Sequence, residues 1–371
     1  MLLERGLPAK ASFKAPNSPN AKLQPSSFPI INMLPVDHAL PSAPLQRLNL
    51  PWLTDAGIEV AILRLDLIDP LITGNKWFKL THHFKAAQQA GATGLISLGG
   101  AYSNHLHALA AAGKRFGFPT VGLLRGHPQQ TPTIDDLQSF GMQVHWLGYA
   151  GYRARHEAGF WLPWRELYPH LYPVPEGGGG LDGALGCSEI VRQAREQLSA
   201  LGWDDYHGWW LAAGTGTTLA GLLLAEADAR TVYGAMAVPQ GHGVPENVAA
   251  IVESFAIAKP MQIPCRSELA RDRILSAKGL PADTAPSRAS SLLQGCHLLD
   301  ASRGGFARTD AHLLAFIDTC ERQAGIPLEP LYTGKALLAL HDEVLAGRFA
   351  RGTRLIFLHT GGLQGKRTFP L

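Results

Sequence analysis

The sequence predicts an α/β protein of two domains, each an open and mostly parallel sheet with helices on both faces. From residue 58 onward, short apolar runs alternate with longer amphipathic stretches, as strands and helices do around a parallel sheet. The chain has 371 residues, which is more than one hydrophobic core usually holds. The glycine run at 177–180 interrupts the alternation and indicates a crossing between the domains.

The spacing of apolar residues predicts the elements of the first half. The first long helix has an apolar face of Trp77, Leu80, Phe84 and Ala87, at steps of three and four. In chain order we predict a strand at 58–67, a helix at 77–90, a strand at 94–98, a helix at 104–116, a strand at 119–124, a helix at 133–140 and a strand at 142–147.

The second half follows the same pattern, except between residues 259 and 308, where the periodicity is weak. We predict a helix at 187–200, a strand at 208–213, a helix at 217–227, a strand at 231–238, helices at 267–278, 286–294, 310–324 and 334–346, and a strand at 353–358. We place a small domain at 80–186 and a large domain at 49–79 together with 187–371.

Residues 1–48 are rich in proline, serine and asparagine and show no sustained periodicity. They predict an extended or disordered leader. The apolar patch at 30–34 is too short for a secretory signal, whereas nearby lysines leave an organellar leader as an alternative.

Composition excludes several classes of function. No apolar run is long enough to span a bilayer, and a net charge of +3 without a basic cluster interleaved with aromatics does not suggest nucleic acid. The four cysteines lie far apart, which indicates reduced thiols in a cytoplasmic protein. We expect neither a membrane nor a nucleic-acid partner, and a small molecule as ligand.

Two stretches, one around Lys76 and one around Ser103 and Asn104, suggest a site for an amine and an anion. Lys76 stands at the start of the helix predicted at 77–90. Ser103 and Asn104 open the next helix after a glycine-rich turn, and the first N–H groups of a helix attract anions. Ser and Asn are also preferred at this position purely as helix caps. Lys79, one turn after Lys76, is the competing amine.

A second glycine-rich loop contains Gly214, Thr215, Gly216, Thr217 and Thr218 between an apolar strand and an apolar helix. Small residues let backbone N–H groups approach a phosphate at the helix start. The loop could equally be a packed turn or the phosphate grip of another nucleotide fold. The acidic residue of a dinucleotide site is not obvious near the strand predicted at 231–238, and no GK[ST] of an ATP site follows, so the NAD and ATP interpretations lose support.

Five blocks of the sequence together resemble a known family: GNKWFKL (74–80), GGAYSNH (99–105), AAGTGTTLAG (212–221), PLYTGKA (330–336) and LHTGG (358–362). In this order they are similar to the fold type II, or tryptophan-synthase-like, pyridoxal-phosphate enzymes. The branch is that of D-cysteine desulfhydrase and 1-aminocyclopropane-1-carboxylate (ACC) deaminase. The resemblance spans roughly residues 40 to 371.

The resemblance implies roles for several residues. Lys76 would carry the cofactor as a Schiff base, and after the substrate amine displaces it would remove the Cα proton. Ser103 and Asn104 would hold the substrate carboxylate, with Asn104 also reaching the ring hydroxyl. Tyr332 would lie beside the cofactor, and the loop from Gly214 to Thr218 would bind its phosphate.

The position of Thr333 distinguishes the two activities of the branch. In the ACC deaminases a glutamate matches it and keeps the pyridine nitrogen protonated. A neutral hydroxyl from Thr333, or from Thr360, favours a weaker electron sink, which suits elimination of a good β leaving group. His105 also matches the desulfhydrases, which often read SNH.

Other residues depart from the family pattern. Each departure removes a polar group from the rim of the substrate pocket, which predicts a more apolar or wider pocket. Tyr102 replaces a glutamine, Gly179 and Gly180 replace a serine–asparagine pair, and Phe306 replaces a tyrosine that contacts substrate.

The sequence therefore predicts a pyridoxal-phosphate-dependent lyase that acts on a small amino acid. D-cysteine would yield pyruvate, ammonia and sulfide. ACC deamination, or binding of the cofactor without turnover, are the alternatives. We expect a homodimer. The histidine pairs His82 with His83 and His105 with His107 lack metal-binding spacing, so we expect no metal site.

Overall fold

The protein is described by a computed structural model that covers residues 34–35, 40–258 and 288–368. Its strands are β1 Leu45–Arg47, β2 Glu59–Arg64, β3 Gly94–Gly99, β4 Thr120–Leu124, β5 Gln143–Trp146, β6 Leu171–Pro173, β7 Gly208–Ala213, β8 Thr231–Met236, β9 Cys296–Asp300 and β10 Arg354–His359. They form a larger sheet of order β1-β2-β10-β7-β8-β9 and a smaller sheet of order β5-β4-β3-β6. Among these strands, β1 pairs antiparallel with β2 and the other pairs are parallel.

Helices cover both sheets. They are α1 Pro51–Ala56, α2 Asn75–Gln89, α3 Asn104–Phe116, α4 Pro132–Ser139, α5 Gly148–Arg153, α6 Leu162–Leu167, α7 Gly180–Arg195, α8 Thr217–Glu226, α9 Val244–Ala258, α10 Arg288–Gln294, α11 Ala311–Ala324 and α12 Thr333–Leu345. Helix α7 packs against both α2 and α8.

The larger sheet is buried on both faces, as its central strands require. Along β7, Trp209 and Leu211 enter one hydrophobic cluster, while Trp210 and Ala212 enter the cluster on the opposite face. Successive side chains of a strand point to opposite sides, so a strand that is apolar at every position must be covered twice. The α/β fold with two parallel-rich sheets is thus confirmed.

The glycine run was interpreted as a break, and the predicted helix at 187–200 begins too late. Helix α7 starts at Gly180 and includes two further glycines. A Cβ on Gly183 would lie 1.9 Å from the carbonyl oxygen of Gly178, and one on Gly186 would lie 2.0 Å from that of Phe78 on α2. Gly186 therefore allows close packing of α7 on α2, and Gly183 allows close packing on the turn that precedes α7, which overrides the low helix propensity of glycine.

The leader prediction was too long at its C-terminal end. Residues 45–47 form β1, and Ala43 and Leu48 are buried beside it. Leu34 is also buried, against the core of the smaller sheet. Most of the predicted leader, and the predicted helix at 267–278, lie outside the described residues. Helix α9 and strand β9 were not predicted from the sequence.

Candidate active site

The loops that follow β7 and β10 lie side by side, because these strands are parallel neighbours. The start of α2 is fixed against both. The backbone N–H of Asn75 donates to the carbonyl oxygen of Thr360 at 3.2 Å, and the side chain of Asn75 donates to Thr218 Oγ1 at 2.8 Å. Gly74 has a left-handed φ of 71°, and a Cβ there would lie 2.0 Å from the Thr360 oxygen. Lys76 follows directly.

The amine of Lys76 lies near the amine of Lys79 and the thiol of Cys187. The side chain of Lys76 keeps partial access to solvent, although protein atoms surround its amine. Burial, followed by the nearby charge of Lys79, holds the pKa of Lys76 well below its ordinary value. A larger fraction of this amine is therefore neutral, which is the form that attacks an aldehyde and accepts a proton.

Lys79 is the second amine of the site and is more deeply buried than Lys76. Its Nζ donates to the carbonyl oxygen of Gly177 at 3.3 Å. Burial lowers the pKa of Lys79 as well. Lys79 is thus tied to a backbone carbonyl of the glycine run.

The Gly214–Thr218 loop leads from β7 into α8. The hydroxyls of Thr215 and Thr217 lie 3.0 Å apart, and α8 begins at Thr217 with its first N–H groups directed at the loop. Gly216 has a φ of 79°, and a Cβ there would lie 2.6 Å from Val248 Cγ2 on α9. Packing alone therefore demands glycine at 216, in addition to any approach of a phosphate.

Ser103 and Asn104 stand at the start of α3. Ser103 is the N-cap, since its Oγ accepts from the backbone N–H of Leu106 at 3.2 Å. Capping thus uses a lone pair of Ser103 Oγ, whereas the hydroxyl hydrogen of Ser103 stays available for a ligand. Asn104 Oδ1 accepts a hydrogen bond from Nε2 of Gln364. The sequence analysis does not predict Gln364 as a residue of the site. Tyr102 packs against the core of the smaller sheet.

Tyr332 lies between the Gly214–Thr218 loop and Phe306, which was predicted at the rim of the substrate pocket. A Cβ on Gly214 would lie 3.0 Å from Tyr332 Cε1, so the ring covers that glycine. The ring of Phe306 lies 5.8 Å from it, centroid to centroid. Burial raises the pKa of Tyr332 above its ordinary range, so its phenol remains protonated. The two aromatic rings form one wall beside the loop.

Thr333 is fully buried and its hydroxyl is bound to Glu329, with Oγ1 and Glu329 Oε1 separated by 3.1 Å. The hydroxyl does not cap α12. Glu329 instead accepts from the backbone N–H groups of Leu331, Tyr332 and Thr333 at the start of this helix. Sequence reasoning missed Glu329. Its position just before PLYTGKA was the available signal, but a capping carboxylate usually stands closer to its helix.

His105 lies on α3 beneath the glycine run at 177–180. His105 is buried, and its Nε2 lies 2.8 Å from Ser97 Oγ on β3. A Cβ on Gly178 would lie 3.2 Å from His105 Cε1, which shows that the glycine run lies over this ring. Burial depresses the pKa of His105 well below its ordinary value. A neutral imidazole therefore faces the glycine run.

The described residues contain no group of three or more His, Cys, Asp or Glu side chains arranged to hold a metal ion. Within the same residues, no helix has the length and apolar character needed to cross a membrane. Cys187, Cys296 and Cys320 are free thiols.

These residues fit pyridoxal phosphate. Lys76 supplies an amine with a depressed pKa for the aldehyde, and the start of α8 supplies N–H groups for the phosphate. Asn104 stands at the start of α3, where Gln364 holds its side chain. The Thr333 hydroxyl is buried and is bound to Glu329. The described residues thus offer partners for the aldehyde and the phosphate of the cofactor.

The family described as "Pyridoxal-phosphate dependent enzyme" matches residues 40–361. Similar proteins include putative ACC deaminases of Pyrococcus abyssi, 26% identical with 92% of this chain and 93% of the relative covered, and of Pyrococcus furiosus, 27% identical with 92% and 94% covered. The bifunctional D-cysteine desulfhydrase/ACC deaminase of Arabidopsis thaliana is 26% identical, with 87% of this chain and 76% of the relative covered.

Solved structures show the same fold. The crystal structure of an ACC deaminase homologue has a TM-score of 0.69 at 24% identity, covering 89% of this chain and 92% of its own. A hydrogen sulfide-producing enzyme of Fusobacterium nucleatum has a TM-score of 0.58 at 12% identity, covering 93% of this chain and 100% of its own.

Proposed function

This chain belongs to the fold type II pyridoxal-phosphate-dependent enzymes, and on that premise we propose that it eliminates the β substituent of a small amino acid, as a D-cysteine desulfhydrase does. The cofactor of the family is pyridoxal phosphate. With D-cysteine and water, cleavage of the Cβ–S bond yields pyruvate, ammonia and hydrogen sulfide.

The observation that carries the proposal is the neutral hydroxyl of Thr333. Position 333 is fully buried, and the nearby carboxylate of Glu329 is engaged by three backbone N–H groups. We propose that Thr333, rather than a carboxylate, serves the pyridine nitrogen when the cofactor is bound, and that its hydroxyl then turns from Glu329 to the ring. A nitrogen without an anionic partner is less readily protonated. The resulting weaker electron sink favours expulsion of a leaving group.

The side chains divide the work of the reaction. Bound pyridoxal phosphate supplies the electron sink for the negative charge that proton loss leaves on Cα. Lys76 would hold the cofactor at its aldehyde and, once the substrate amine has taken its place, would accept the Cα proton, for which its depressed pKa suits it. The start of α3, with Ser103 and Asn104, holds the substrate carboxylate. The wall of Tyr332 and Phe306 shields the reacting carbon from water.

ACC deamination is the second candidate. It is favoured by the two Pyrococcus relatives, both of which are named putative ACC deaminases and cover nearly the whole chain. That reaction opens a ring without a leaving group and therefore benefits from a stronger sink. Thr333 argues against it, as do the apolar replacements Tyr102 and Phe306.

Comparison of turnover with separate substrates distinguishes the two candidate reactions. Purified enzyme with pyridoxal phosphate receives D-cysteine, L-cysteine or ACC, and the keto acid products are identified. We expect pyruvate and sulfide from D-cysteine, and no product from the Lys76→Ala control. Turnover of ACC to 2-oxobutanoate at a higher kcat/KM than that of D-cysteine would contradict the proposal. A protein that binds the cofactor and converts no amino acid would instead be a binder.

A homodimer and a cytoplasmic location remain predictions. Sedimentation of the holoenzyme tests the first, and localisation of a tagged full-length chain tests the second.

A further inference from the structure

The amide of Gln364 joins the turn after β10 to the start of α3. Gln364 lies in a short 3-10 helix, Leu363–Thr368, and its Nε2 donates to Asn104 Oδ1 at 2.9 Å. Gly362 packs closely against the same Asn104 amide, because a Cβ on Gly362 would lie 2.6 Å from Asn104 Nδ2. The C-terminal turn therefore meets the anion-binding helix at the amide of Asn104.

The other half of the Gln364 amide is unsatisfied. Its Oε1 is buried and has no hydrogen-bond partner among the described residues. A buried carbonyl oxygen without a partner destabilises a fold, and native proteins hold few of them. An apolar side chain would avoid this cost. Stability of the fold thus does not account for glutamine here.

We propose that Gln364 is a positioning residue that fixes which end of the Asn104 amide faces the cofactor. The inference rests on the proposed role of Asn104 at the ring hydroxyl. By donating to Oδ1, Gln364 leaves Nδ2 of Asn104 as a donor toward the ring oxygen. Without this contact the Asn104 amide is free to turn by half a rotation and to present its oxygen instead. Two oxygens would then repel each other.

The departure from the family pattern at position 102 offers a reason for the amide at 364. In the resembling family a glutamine precedes the serine–asparagine pair, and Tyr102 takes its place here, with its ring packed into the core of the smaller sheet. Gln364 brings an amide back to the same helix start from the C-terminal turn, 260 residues after Asn104. We infer that it substitutes for the missing group.

Two substitutions test the proposal. Gln364→Met removes the amide at similar length, and Gln364→Glu offers only acceptors, which forces Asn104 to turn its Nδ2 away from the ring. We measure the Kd of the apoprotein for pyridoxal phosphate, the pH dependence of the holoenzyme's visible spectrum, and the Tm of the apoprotein. For Gln364→Met we expect a Kd raised about three- to tenfold, since one neutral hydrogen bond is lost. Its apoprotein Tm should be unchanged or higher.

Gln364→Glu should raise the Kd further than Gln364→Met. Lys366→Met is the matched control, because it breaks the Lys366–Glu321 ion pair on the same turn without touching Asn104. We expect its Kd to equal that of the wild type. A lower apoprotein Tm with an unchanged Kd for Gln364→Met would assign a structural role and overturn the proposal.

Asn104→Ala separates this inference from the proposed site. If Asn104→Ala leaves both Kd and spectrum unchanged, the assignment of Asn104 itself is wrong. If Asn104→Ala weakens binding while Gln364→Met does not, the positioning role alone fails. Support requires that Gln364→Met has no further effect when combined with Asn104→Ala, because contacting residues that act through one group are not additive.

Discussion

Glu329→Gln is the substitution that most directly probes the support of the cofactor cleft. Glu329 is fully buried, accepts from the backbone N–H groups of Leu331, Tyr332 and Thr333, and contacts the Thr333 hydroxyl. Glutamine has nearly the same shape but cannot ionise, and one of its two acceptor positions becomes a donor. The substitution therefore removes the titration of the group while preserving its packing.

The size of the effect depends on pH. Burial raises the pKa of Glu329 from its ordinary 4.5 to about 7, although the N–H donors and the Thr333 hydroxyl act in the opposite direction. Because the folded-state pKa exceeds the unfolded one, this contribution to stability is complete below about pH 4.5. It is lost as the pH rises through about 7, by about 3 kcal/mol in all.

The assay compares free energies of unfolding in urea for wild type and Glu329→Gln at pH 5 and pH 8. We expect the advantage of the wild type over the variant to fall by roughly 2 to 3 kcal/mol between the two values. Glu253→Gln, on the exposed side of α9, controls for a change of charge alone. If the difference between wild type and Glu329→Gln is the same at both values, Glu329 is ionised throughout and its N–H donors outweigh its burial.

Three further substitutions probe the lysine, the phosphate loop and the ring nitrogen. Lys76→Ala should leave a folded protein without covalently attached cofactor and with elimination abolished. Borohydride reduction of the wild type, followed by peptide mapping, should label Lys76. A label on Lys79 would refute the assignment. Gly216→Val should lower both cofactor affinity and Tm, because its left-handed φ and its contact with Val248 leave no room for a side chain; an unchanged Tm would contradict this packing. Thr333→Glu would bury a second carboxylate against Glu329, so Thr333→Val is the cleaner test; we expect it to alter the holoenzyme's visible spectrum at a Tm cost of a few degrees, and an unaltered spectrum would move the nitrogen contact to Thr360.

The cofactor and the fold could be predicted because their signals are local. Each of the five blocks is a strand end, a turn or a helix start that is readable within about ten residues, and their order along the chain indicates the family. The strand predicted at 208–213 and the helix predicted at 104–116 agree with β7 and α3 to the residue. The need for glycine at 186 could not be predicted, because the atom that a side chain there would meet is a backbone oxygen of α2, far earlier in the chain.

The sequence by itself determined the α/β fold, the pyridoxal-phosphate family and the blocks from which the cleft is built. Only the tertiary structure decided how their side chains are held: Lys79 on Gly177, Thr333 on Glu329, and Asn104 on Gln364. The physical reason is that a hydrogen bond depends on the distance between two atoms. Local periodicity sets which residues form each element, whereas the packing of separate elements sets which polar groups meet between them.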